Sequence, residues 1–272
     1  MLHATLLGMT VLSQLPEWLP DLTRLWAAEE GVLAVVLTGS FARGDADEWS
    51  DLDVQVLVAD GAPIGGHTSY HGGLLLSVDR SELGHRERAL TDPDTALWNL
   101  TALRTGLPLY DPAGVFAVLQ AKAQALEWAT LAPEAHRQAA SRIAGTAEEL
   151  HKIMGGLNAG DGEKVAYAAL GLMLGLGQAA LLSTGTLIPT ENRWLTLARD
   201  AWPDAVWRES FSCLAGLGTD SPEARGRAGL TAYGRAVALA QWPLDFEQER
   251  REYAVAHEAA RRGAAFLNRV VP

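Results

Sequence analysis

The sequence predicts an α+β protein, a small mixed β-sheet followed by a helical bundle. Three observations lead there. Short apolar or alternating runs occupy the first third of the chain, and helical apolar spacing takes over from Arg86 onward. Pro and Gly punctuate the second part at intervals suited to packed helices.

Each element follows from its local pattern. "EWLPDLTRLWAAEE" (17–30) carries Leu22, Leu25 and Trp26 at helical spacing, an opening helix that Gly31 ends. "VLAVVLTG" is short, β-branched and apolar, as a buried strand requires. "DLDVQVLV" sets Asp51, Asp53, Gln55 and Leu57 on one face against Leu52, Val54, Val56 and Val58 on the other, a half-buried strand. "GAPIGGHTSYHGG" reads as a glycine-rich turn region, "LLLSVD" as a third strand, and "LPLYDP" as a possible further one. Helices are expected over roughly 86–105, 113–129, 133–157, 162–184, 190–200, 204–216, 222–240 and 246–268. Two domains follow from this division, residues 1–112 and 113–272.

Composition sets limits on function. The chain has 272 residues, 48% hydrophobic and 20% charged, enough to bury a substantial core. Net charge is −11, from 22 Lys and Arg against 33 Asp and Glu, and this argues against a nucleic-acid partner. The single Cys213 excludes an internal disulfide and suits a cytoplasmic protein. The apolar N-terminus has no Lys or Arg before its core, which speaks against a secretory signal. "VAYAALGLMLGLGQAALL" is long enough to span a bilayer, but its Ala, Gly and Gln178 content favours a helix inside a bundle over a membrane partner.

The chemistry concentrates in "TGSFARGDADEWSDLDVQVLV". Asp51 and Asp53 lie two apart on a strand and project from one face, where their repulsion invites a cation. Hard oxygen ligands select Mg²⁺ or Mn²⁺, which are commonly held by one or two carboxylates together with substrate phosphates. Gly39 and Ser40 follow a buried strand and precede a short helix, so backbone N–H groups and a hydroxyl can approach a phosphate closely. Arg43 supplies a charge suited to phosphate, while Ser50 is foremost a turn residue and is also counted among the phosphate-binding candidates. A solvated strand face is the plainer account of the two aspartates taken alone, and "GSFARG" at this spacing displaces it. His67 and His71, and the scattered His85, His136 and His151, have the spacing of ordinary satisfied or exposed histidines.

The same stretch resembles the Gly-Ser, Arg-Gly, Ser-Asp-x-Asp signature of the DNA polymerase beta-type nucleotidyltransferases. Within that superfamily it is similar to the minimal and the aminoglycoside nucleotidyltransferases. The resemblance implies a catalytic nucleotidyltransferase domain followed by a helical domain, and an ATP- or other NTP-dependent transferase of the EC 2.7.7 type. It would pass a nucleoside monophosphate to a small-molecule hydroxyl and release pyrophosphate. Gly39 and Ser40 would bind nucleotide phosphates, and Asp51 and Asp53 would bind the metals. The family usually has a third carboxylate on a neighbouring strand, where this sequence has Ser77. Asp79, on the same face as Ser77, or else Glu82, is the expected substitute as catalytic and metal ligand. The alternatives are a protein-directed enzyme of toxin–antitoxin type, a nucleic-acid-directed enzyme, or a catalytically silent relative.

Overall fold

A computed structural model describes residues 15–218 and 221–269, so the N-terminal segment read for a secretory signal lies almost wholly outside the described residues. The chain divides into two compact units. One comprises residues up to Glu127 together with Leu187–Thr190; the other comprises Trp128–Thr186 and Glu191 onward.

The first unit is built on a five-stranded mixed sheet of order β3-β4-β2-β1-β5. Its strands are β1 (Val32–Thr38), β2 (Leu52–Val58), β3 (Gly65–His71), β4 (Leu74–Glu82) and β5 (Leu107–Tyr110). β1 is antiparallel to β2 and β5, and β3 is antiparallel to β4, while β2 and β4 run parallel. Helix α1 (Leu19–Ala27) covers one face. There Leu19 and Trp26 pack against Val35, Leu37, Leu52, Val54, Val56, Leu76 and Val78. This is the apolar face that the alternation of β2 anticipates.

The α+β expectation holds. The strand β3, however, occupies the stretch read as a turn. Its glycines and histidines have low strand propensity, but β4 offers a full ladder of partners from His71–Leu74 to Gly65–Arg80. Tertiary pairing overrides the local preference. Being an edge strand, β3 stays largely exposed on both faces, which explains why it lacks an apolar signature.

Among its described residues this unit also holds four further α-helices and a short 3-10 helix, Arg88–Leu90. The α-helices are α2 (Gly39–Arg43), α3 (Leu83–Glu87), α4 (Pro93–Thr105) and α5 (Val115–Ala125). Asp92 caps α4 by accepting from the Thr95 N–H at 3.0 Å, and Pro93 follows at the first helical position.

The second unit is helical: α6 (Ala132–Gly145), α7 (Ala147–Ala159), α8 (Gly162–Thr184), α9 (Trp194–Asp200), α10 (Ala205–Leu214), α11 (Pro222–Leu239) and α12 (Glu247–Leu267). The expected single helix over 133–157 is broken at Thr146, whose Oγ1 donates to the Ile143 carbonyl at 2.9 Å just after Gly145. A Gly followed by a back-bonding Thr is a recognised breaking point. α8 is long and apolar enough to cross a membrane by length and composition, yet 67% of its most apolar window is buried inside the protein. It packs against α6, α7 and α11.

Candidate active site

The site begins where β1 ends. Thr38 is extended, and Gly39 then turns the chain with φ +67°, a conformation that glycine adopts without steric cost. The chain continues directly into the five-residue helix α2, whose N-cap Thr38 makes no side-chain cap. A β-carbon at Gly39 would lie 2.0 Å from Asp53 Oδ2 and 2.9 Å from its Cγ. The Asp53 carboxylate therefore rests directly on the turn, and glycine is required there for two separate reasons.

Register explains why these residues meet. Asp53 pairs with Thr38 on β1 and with Ser77 on β4, and Ser77 pairs in turn with Thr68 on β3. Directly paired residues share a face, so one carboxylate stands in a row of three hydroxyls. Asp51 immediately precedes β2, two residues before Asp53. The structure thus gathers Gly39, Ser40, Asp51 and Asp53 at one end of the sheet.

The loop from Gly44 to Ser50 is organised by Asp47. Its Oδ1 accepts from the Trp49 N–H at 2.9 Å and from Ser50 Oγ at 3.0 Å, while Ser50 Oγ accepts from the Asp47 N–H at 2.9 Å. Backbone donation from Trp49, then the Ser50 hydroxyl, hold the Asp47 carboxyl below the usual carboxylate range. Ser50 is thus tied into its own loop. Trp49 stands at the loop tip, 86% exposed. Arg43 is also engaged within the protein, with Asp45 and with the Pro189 carbonyl.

Asp79 is placed differently. It pairs with Gln55, not Asp53, which puts it one same-face step, about 6–7 Å, further from the turn. Its carboxylate accepts a hydrogen bond from Arg86 Nη2. Arg86 is buried and also donates to Ser81 Oγ at 2.9 Å and to Asn99 Oδ1 at 2.7 Å. Burial pushes the Arg86 guanidinium down from its ordinary value, and Asp79 opposes that shift. Glu82 lies level with Val58 at the far end of the sheet, where its Oε1 accepts from the Gly61 N–H at 3.0 Å. Among the described residues no group of three His, Cys, Asp or Glu side chains is gathered as a metal site. Ser77, level with Asp53, is the register position a third ligand would need.

Two carboxylates alone make an incomplete cage, so a divalent ion held by Asp51 and Asp53 would have to complete its shell with substrate oxygens. A cavity of about 650 Å³ lies elsewhere, along α1 and β5, lined by Leu19, Thr23, Ala27, Leu109 and Tyr110. It has no carboxylate pair and is not where the chemistry points. The Arg86 network went unread in the sequence because its partners come from β4 and α4, with no local motif to join them.

Comparison with known proteins bears on this region. The chain is similar to the crystal structure of a nucleotidyltransferase-like protein from Exiguobacterium sibiricum. The two share 13% identity over 90% of this chain and 87% of that one, with a TM-score of 0.47. No curated protein matches the sequence. The family model described as a nucleotidyltransferase domain matches residues 19–94, a span that runs from α1 through β4 into the start of α4. Residues 19–94 of this chain are accordingly a nucleotidyltransferase domain, and the turn at Gly39 and the Asp51–Asp53 pair lie inside it.

Proposed function

We propose that the protein transfers a nucleoside monophosphate from an NTP, ATP among the candidates, to a hydroxyl of a small-molecule acceptor and releases pyrophosphate. One observation carries this reading: the Asp53 carboxylate is seated against the Gly39 turn, with Asp51 two residues before it in the chain. Phosphate and metal functions are thereby adjacent, as phosphoryl-type transfer demands.

In this reading the Gly39 and Ser40 N–H groups and the Ser40 hydroxyl orient the leaving phosphates. Asp51 and Asp53 hold Mg²⁺ or Mn²⁺, which when bound neutralises charge building on the transferred group. The hydroxyls of Thr38 and Ser77 flank Asp53 in its row. Asp79 serves as the counter-ion of Arg86 and supports α3 and α4 without reaching the metal. The acidic balance supports a small acceptor, cationic in its most specific form, over nucleic acid. The lone Cys213 suits a cytoplasmic setting.

The test offers labelled ATP, GTP, CTP and UTP with Mg²⁺ or Mn²⁺ to aminoglycosides, to a cell-lysate proteome and to primer–template nucleic acid. Label on a small molecule is the expected result. Label on a protein band or an extended primer would replace the acceptor assignment, and NTP binding without any transfer would make the domain a silent relative.

A further inference from the structure

We infer that Arg43 is a positioning residue, one that builds the phosphate-side turn from two distant stretches of chain, and not a ligand of the triphosphate. The inference rests on the nucleotidyl-transfer reading only for its consequence; its structural basis is independent. All three guanidinium nitrogens of Arg43 are engaged. Nε donates to Asp45 Oδ2 at 3.3 Å, Nη2 pairs with Asp45 Oδ1 at 3.1 Å, and Nη1 donates to the Pro189 carbonyl at 3.0 Å. The side chain is only 17% exposed. A phosphate ligand would have to present its planar fork to the substrate, whereas this fork is turned into the protein.

The bond to Pro189 spans 146 residues of sequence. Pro189 belongs to Leu187–Thr190, a short stretch that packs with the first unit although the chain on either side belongs to the second. The stretch is anchored by its own contacts. Ile188 is 2% exposed, and its N–H donates to the Leu97 carbonyl on α4 at 2.8 Å. Proline has no N–H, so its carbonyl is the backbone group that Pro189 can offer. Arg43 ends the single-turn helix α2 that starts at Gly39 and Ser40. A clamp at one end of so short a helix sets the direction of the other, and with it the seating of Gly39 against Asp53. The nucleotidyltransferase domain at residues 19–94 is thus completed by a segment nearly a hundred residues beyond it.

The experiment uses the full chain and the variants Arg43→Ala, Arg43→Gln, Ile188→Val and the Arg43→Ala/Ile188→Val double. Amide exchange at Ile188 is read without ligand, and affinity is read by titrating a fluorescent N-methylanthraniloyl ATP with Mg²⁺. Gln removes the charge and its amide nitrogen ends at the place of Arg Nε, two bonds short of Nη1, so it also gives up the Pro189 carbonyl. Arg43→Ala should speed exchange at Ile188 by about tenfold or more and weaken the nucleotide. Arg43→Gln should follow Arg43→Ala in both readouts, since the Pro189 contact is lost in each. Ile188→Val should reproduce part of the Arg43→Ala effect, and the double variant should fall short of additivity. Equal loss of nucleotide affinity in Arg43→Ala and Arg43→Gln, with Ile188 exchange unchanged in both, would make Arg43 a phosphate ligand and overturn the inference. Should the parent bind no nucleotide, the nucleotidyl-transfer reading falls, and the exchange rates alone decide the clamp.

Discussion

Gly39 and Asp53 are packed so closely that a single methyl group on the glycine would sit 2.0 Å from the Asp53 carboxylate oxygen. The backbone at Gly39 also has φ +67°. Gly39→Ala should therefore destabilise the fold by about 1–2 kcal/mol from backbone conformation alone, with a further term from the clash. The two terms separate in a double-mutant cycle. In an Asp53→Ala background Gly39→Ala should cost less, by about 0.5–3 kcal/mol, because the colliding carboxylate is gone. Additive effects in chemical denaturation would show that the two residues are not in contact.

The carboxylates themselves should matter to rate and little to stability. Asp51→Ala or Asp53→Ala should lower nucleotidyl transfer on the order of 10³-fold or more. Melting temperature should be retained or raised in metal-free buffer, because one of two repelling charges is removed. Turnover at the parent rate in Asp53→Ala, still dependent on metal, would contradict the assignment.

Ser77 and Asp79 make opposite predictions. Asp79→Asn should cost about 1–2 kcal/mol of stability by weakening the hydrogen bond to the buried Arg86 guanidinium, a modest figure because Asp79 is half exposed. Mn²⁺ affinity should not change. Ser77→Asp places a carboxylate level with Asp53 and should tighten Mn²⁺ by about tenfold, as a third hard ligand does. Titration calorimetry with Mn²⁺ reads both, and weaker Mn²⁺ binding in Asp79→Asn would return Asp79 to the metal site.

The loop before Asp51 should respond to acid. The Asp47 carboxyl titrates below its ordinary value because it accepts from the Trp49 N–H and the Ser50 hydroxyl. A depressed folded-state value means the ionised form is favoured by folding. Its contribution is present above the unfolded aspartate value and is lost as pH falls through the lower folded value. Ser50→Ala should move the Asp47 titration upward, followed by carboxyl carbon NMR. An unchanged midpoint would show that the Ser50 hydroxyl does not hold Asp47.

The candidate site was legible in the sequence because it is local. Gly39, Ser40, Asp51 and Asp53 lie within one strand–turn–strand segment, and period-two alternation already puts both aspartates on the face away from the apolar core. The helices of the second unit announced themselves by spacing and by Pro and Gly at their ends, although the break at Thr146 depends on a side-chain to backbone bond that spacing does not encode. The tertiary structure decided what depends on register and return. β3 becomes a strand only because β4 supplies its ladder. Asp79 is turned to Arg86 because β4 runs parallel to β2 with Ser77 level with Asp53. Arg43 meets Pro189 because the chain comes back after 146 residues. Alternation sets which face a side chain takes, while pairing between strands and the path of the chain set its neighbours.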